Sequence, residues 1–323
     1  MSFCLPPSPV RESIVRSVTR CVKSVLVVIS VLLLCSTQAL ASISGLVVSG
    51  IGGTDEYEEQ FAQNSQSIVD ALRSNADADS DFMLLQGADA TREAIIDAVQ
   101  VLAERDTDAF YLVLLGHGTI DSETWRFNVP GPDVTTNDLV ASLARVQSPQ
   151  QLVVVSTSAS GAVLDVLSQP GRYVVTATKS AGELNVVRFG DFLSEAMDSA
   201  VADVDRNEIL TLAEAFRYAN EKTQNYYTDQ NLLASEHARL SGDEPERIAL
   251  ARLGALRNAK DNPAVQALLQ DRLLLEDAFI ALKARKPEME TAIYYADLET
   301  LLVSIARLQQ KIDLATGWVE TNE

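Results

Sequence analysis

The amino-acid sequence predicts an α/β fold: a mostly parallel sheet flanked by helices on both faces, followed by a C-terminal helical hairpin. Three observations carry this prediction. From residue 43 to about 200, short apolar runs alternate with segments of helical period, the order that builds a parallel sheet. Ala109 to Leu115 is apolar throughout, as expected of a strand buried on both faces. After about Glu246 strand signals vanish and two long helical stretches take over.

The elements follow in order. Arg11, Arg16, Arg20 and Lys23 lead into the uncharged run Val25 to Cys35, and Ala39-Leu40-Ala41 follows. Basic, apolar, then small-x-small is the order of a secretory signal peptide. The apolar run is short for a membrane span, which needs roughly 20 residues. Cleavage after Ala41 is therefore expected, with the product periplasmic or secreted and without a stable membrane span. Leu34 before Cys35 argues against a lipoprotein. Ile43 to Val48 reads as the first strand, and Glu56 to Arg73 as a helix with Phe61, Ile68, Ala71 and Leu72 on one side. Asp81 to Leu85 is a strand. Thr91 caps a helix in which Ile95, Ile96, Val99 and Leu102 recur at helical spacing. After the strand Ala109 to Leu115 come a helix over Leu139 to Val146, a strand over Gln151 to Val155, a helix over Gly161 to Leu167, a strand over Tyr173 to Ala177 and a helix over Phe189 to Ala200. The hairpin consists of Ala264 to Arg285 and Met289 to Lys311, broken at Arg285-Lys286-Pro287. Leu268, Leu269, Leu273, Leu275 and Phe279 are expected to face Leu298, Leu301, Leu302, Ile305 and Leu308. The domains are thus a signal peptide over 1–41, an α/β domain over 42–245 and the hairpin over 246–323.

Charge and cysteine narrow the function. All three cysteines, Cys4, Cys21 and Cys35, lie in the segment to be removed, so the chain from Ser42 has no disulfide, thiolate or cysteine-based metal site. That part keeps 22 basic and 44 acidic residues. Such a balance excludes nucleic acid and anionic lipid as expected partners, since both need basic surface. Gly50, Gly52 and Gly53 lack the third glycine of a dinucleotide fingerprint and read as a tight strand-to-helix turn.

Only two histidines are present, His117 and His237. His117 follows a buried strand in Leu114-Leu115-Gly116-His117-Gly118-Thr119. Parallel sheets bind ligands at the carboxyl ends of their strands, so His117 is a candidate general base. The next buried strand runs into Ser156-Thr157-Ser158-Ala159-Ser160-Gly161 and then a helix, a layout that presents a hydroxyl beside backbone N–H groups. Spacing alone does not choose among these hydroxyls, nor between a nucleophile and a helix cap.

The pair LLGHGT and VVVSTSASG resembles the caspase-like cysteine peptidases, most closely the legumain and exported bacterial caspase-family branch. Ala177 to Glu183, Arg188-Phe189-Gly190 and Glu236-His237-Ala238 extend the likeness, which spans roughly Ser44 to Leu240. The resemblance implies a caspase-like fold in which His117 is the base, the N–H groups of Gly118 and Ser158 form the oxyanion hole, and Ser158 stands where the family has its cysteine. A thiol with a pKa of about 8.5 is easily ionised. A serine hydroxyl is far weaker as an acid and depends on a base oriented by a third group. Asp133 and Asp138 are the carboxylates available in the sequence. The resemblance also places Lys179, Glu183 and Arg188 at the first specificity pocket, where their mixed signs predict no preference.

Asp203-Val204-Asp205-Arg206-Asn207-Glu208, ending at Glu214, matches a calcium loop at Asp203, Asp205, Asn207 and Glu214. It has Glu208 where that loop turns on glycine. The other reading is an acidic loop capping the helix Leu212 to Tyr227. The expected function is an exported peptidase-family protein that binds peptide or protein with impaired or absent catalysis. No cofactor is required; calcium is the one candidate. An active serine hydrolase using Ser158 and His117, or an envelope scaffold acting through the hairpin, are the alternatives. Oligomeric state is not legible in the sequence.

Overall fold

Buried strands set the frame. The computed structural model describes residues 42–77, 79–121 and 124–317; the expected signal segment, with its cysteines, lies outside the described residues. Eleven strands are described: β1 (Ile43–Ser49), β2 (Asp81–Leu85), β3 (Ala109–Leu115), β4 (Gly118–Asp121), β5 (Thr124–Phe127), β6 (Val134–Thr135), β7 (Gln150–Ser156), β8 (Arg172–Thr176), β9 (Ile209–Thr211), β10 (Arg239–Ser241) and β11 (Ala249–Arg252). Six of them form one sheet in the order β10-β8-β7-β3-β1-β2. Four of its five pairings are parallel, and β10 closes one edge antiparallel to β8. At the other edge, Arg73 Nη2 donates to the Phe82 carbonyl of β2 at 3.0 Å.

Successive side chains of a strand point to opposite faces, and β3 shows the result. Tyr111, Val113 and Leu115 join one core, under the helix α1 (Asp55–Asn75), whose Ile68, Val69 and Leu72 belong to it. Phe110, Leu112 and Leu114 join the other, under α2 (Arg92–Ala103), α3 (Thr136–Leu143) and α4 (Leu164–Leu167). The helices α5 (Phe189–Ala196) and α6 (Leu212–Asp229) complete the first face. Side-chain caps start four of these helices: Thr54 accepts from the Tyr57 N–H and Thr91 from the Ala94 N–H, while Thr135 with Asp138 and Thr211 with Glu214 form capping boxes.

Strand structure does not end at Glu246. β11 pairs antiparallel with β9, and Ile248, Leu250, Ala251 and Leu253 belong to the first core. The run is too short to show a period, and its alternation is masked by alanine. The antiparallel sheet β4-β5-β6, also absent from the sequence reading, contributes the fully buried Trp125 and Phe127 to the second core. The short helix α7 (Gly254–Asn258) leads to the hairpin of α8 (Pro263–Arg285) and α9 (Thr291–Thr316). Its base is held by Leu256, Val265, Leu269 and Ile312. Two residues expected in its seam, Leu273 and Leu302, are instead half exposed.

Candidate active site

Register brings the two candidate residues together. Ser49, Leu115 and Ser156 pair across β1, β3 and β7, so the three chains leave the sheet at one level. Their continuations, Gly50 to Gly53, Gly116 to Gly118 and Thr157 to Gly161, pack against each other. The approach is close: a Cβ on Gly118 would meet the Ser158 carbonyl oxygen at 2.4 Å, which only glycine avoids.

His117 Nε2 pairs with the Gly52 carbonyl at 2.9 Å. A carbonyl only accepts, so Nε2 is the donor and Nδ1 keeps its lone pair in the neutral ring. Tyr57 and Phe61 meet the ring edge-on, at 5.5 and 5.3 Å between centroids. Gly52 is fixed in turn by its own N–H, which donates to Glu58 Oε2 at 2.6 Å. The helix α1 therefore positions the histidine through Gly52, a role that the sequence reading of these glycines as a turn did not reveal.

Ser158 is 3% exposed. Its hydroxyl donates to the Asn185 carbonyl at 2.8 Å, and its own carbonyl accepts from Trp125 Nε1 at 3.3 Å and Thr157 Oγ1 at 3.0 Å. Ala159 takes the left-handed conformation, φ 55°, and donates its N–H to the Glu183 carbonyl at 2.7 Å. Ser160 and Gly161 pack on Thr178: the Gly161 N–H donates to Thr178 Oγ1 at 2.8 Å. His117 and Ser158 thus sit at neighbouring strand ends, each committed to a different backbone carbonyl. Among the described residues no hydrogen bond joins them. The candidate carboxylates are engaged elsewhere. Asp138 binds Arg92 at 2.5 Å, which with the capping bonds from Thr135 holds its carboxyl down to about 2. Asp133 accepts from Asn128 and the Val129 N–H.

The segment covering Ser158 is pinned by ions. Glu183 pairs with Lys179 at 3.5 Å and with His237 Nδ1 at 2.5 Å, and it accepts the N–H groups of Lys179 and His237. Burial pushes the Glu183 carboxyl up, but these bonds outweigh it and hold it below its ordinary value. Arg188 pairs with Asp191 at 3.4 Å and lies 5.4 Å over the Tyr226 ring. Glu236 accepts from the N–H groups of Arg188 and Phe189 and from the Tyr227 hydroxyl; burial pushes it up to about 7.

A model of the peptidase C13 family matches residues 69–240, more than half of the chain. The chain belongs to the peptidase C13 family. Among solved structures, this C13 chain is similar to the Drosophila initiator caspase Dronc, with 9% identity over 66% of this chain and 81% of that one at a TM-score of 0.42. It is also similar to caspase-1 from Spodoptera frugiperda, with 10% identity over 62% and 85% of the two chains and a TM-score of 0.41. A search of the curated proteins finds no match. The C13 match takes in His117, Ser158 and the acidic loop, and stops before the hairpin.

In this C13 chain the acidic loop is tightly organised. One carboxylate oxygen from each of Asp203, Asp205 and Glu214 lies within 4.8 Å of the others. Asp203 accepts from the N–H groups of Asn207 and Glu208, Asp205 from Asn207, and Glu214 from Val204, Thr211 N–H and the Thr211 hydroxyl. Loss of water around it and the charge of Glu214 push Asp205 up to about 6, although its side chain stays more than half exposed. Glu208 occupies the glycine position with φ 61°. Its carboxylate accepts the N–H groups of Ala255 and Leu256 at 3.1 and 2.8 Å, so it caps α7 from within the loop. Arg272 of α8 comes within 3.9 Å of Asp205. The oxygen-only set suits a hard divalent cation, and the helix-capping reading is also realised, through Thr211 and Glu214.

Proposed function

We propose that this exported C13-family chain binds an extended peptide or protein segment at the strand ends around His117 and Ser158, without efficient hydrolysis. The observation that carries the reading is the hydroxyl of Ser158, buried and bonded to the Asn185 carbonyl rather than to His117. A serine becomes a nucleophile through a base that takes its proton, and among the described residues neither His117 nor a carboxylate is bonded to it. The second reading, an active serine hydrolase, is favoured by one observation: the free lone pair on His117 Nδ1 is the basic atom such a reaction needs. Lys179, Glu183 and Arg188 act in either case by holding the covering segment in place, their charges spent largely on Glu183, His237 and Asp191. A calcium ion on Asp203, Asp205, Asn207 and Glu214 would steady the loop against which the start of α7 and Arg272 are held.

A fluorophosphonate probe tests the central reading. The expected result is no adduct at Ser158 in the purified protein, and peptidase activity gained in Ser158→Cys. An adduct on Ser158 that disappears in His117→Ala establishes the hydrolase instead.

A further inference from the structure

We propose that the chain forms a two-fold symmetric dimer with a second copy of itself, through the outer face of α9. The proposal uses none of the Ser158 site, so the two can fail separately.

One face of α9 is accounted for. Tyr294, Leu308 and Ile312 are buried, and Leu298, Leu301 and Ile305 lie partly buried on the same side. These recur at helical spacing and face α8. Beside it, about 100° round the helix, Tyr295, Leu302 and Ala306 form a second stripe, and Val303 lies beyond it on the outer side. Tyr295 is 53% exposed, Leu302 47% and Val303 41%. Of the sixteen large apolar side chains exposed among the described residues, seven lie on α8 and α9. An exposed apolar stripe beside the face already packed leaves this helix room for a second partner.

Charge selects the partner. Residues 263–316 carry eight acidic and six basic side chains, whereas the chain from Ser42 carries 44 and 22. The hairpin is therefore the surface on which two copies of this acidic protein meet with least repulsion. Around Val303, Asp297 and Glu299 precede it and Arg307 and Lys311 follow, with Asp313 at the end of the helix. Glu299, Arg307 and Lys311 are exposed and have no ion-pair partner among the described residues. An antiparallel pair of α9 helices with its axis at Val303 sets Glu299 of each copy beside Arg307 of the other, twice by symmetry. A parallel pair sets like charges together. A helix of this length, about 39 Å, buries an area at the small end of stable interfaces, so the dimer is reversible.

Sedimentation of the purified full chain tests it. The mass is expected to rise from one chain towards two between about 1 and 300 µM. Leu302→Glu should abolish the rise. Glu299→Arg or Arg307→Glu alone should weaken association about 10-fold, and the two together should restore it. With Cys4, Cys21 and Cys35 replaced by serine, Val303→Cys should give an interchain disulfide on oxidation and Ala284→Cys, on α8, should not. A mass of one chain throughout overturns the proposal. So does a dimer indifferent to these charge reversals, or cross-linking that is equal at both cysteines.

Discussion

Ser158 is held from three directions, and Trp125 supplies one of them. The indole N–H bonds to both Thr157 Oγ1 and the Ser158 carbonyl, from a ring that is fully buried in the second core. Trp125→Phe keeps most of the packing and removes the donor. It is expected to cost about 1–3 kcal/mol, the range for a buried polar group that loses a partner, read as a lowered denaturation midpoint at unchanged slope. Thr157 Oγ1, which also donates to that carbonyl, limits the loss. The glycine-flanked histidine after a buried strand and the hydroxyl-rich turn are local patterns of the sequence; Ser158 within that turn was singled out only by the resemblance to the caspase-like family. The partners of His117 and Ser158 were not legible in the sequence. Gly52 lies 65 residues before His117, and Asn185 lies 27 after Ser158. Both act through backbone carbonyls, which carry no signature of residue type.

At the scale of elements, the buried strands were legible to within a residue or two, and β3, with seven consecutive apolar positions, to the residue. The antiparallel pieces β4-β5-β6 and β9-β11 were not, because two- to four-residue strands show no period and gain their stability from distant partners. The acidic loop was legible in its ligand-type residues and misleading at Glu208. The sequence offers a glutamate where a turn wants glycine, and the structure gives that glutamate a second task at the start of α7. The loop also sets a pH dependence. The fold raises Asp205 from 3.8 to about 6, so it favours the protonated form. The stability this group contributes is present below its ordinary pKa and is lost as pH rises through 6. The melting temperature of the calcium-free protein should therefore fall between pH 5 and pH 7, with that component absent in Asp205→Asn. A cation on the ionised loop reverses the sign. Millimolar calcium should raise the melting temperature at pH 7.5 and have little effect at pH 5, as measured by scanning calorimetry.

For the whole molecule, two apolar cores on either side of one sheet explain why the fold class could be read from the alternation of strands and helices. The hairpin was legible as two helices, but not which of its leucines face inward. α8 is apolar on every side, so helical period alone assigns no face. The Arg73 bond to the Phe82 carbonyl bears on how copies of such a molecule can meet. An open strand edge accepts another strand, and that strand offers its own free edge in turn, so association of this kind has no natural end. Arg73 occupies an acceptor on the free side of β2, and β10 leaves only three residues at the other end of the sheet. Removing the guanidinium in Arg73→Ala is expected to shorten the lag before amyloid-dye fluorescence appears on warming, while the folded state loses little. A single arginine would then separate a protein that stops at two copies from one that keeps adding them.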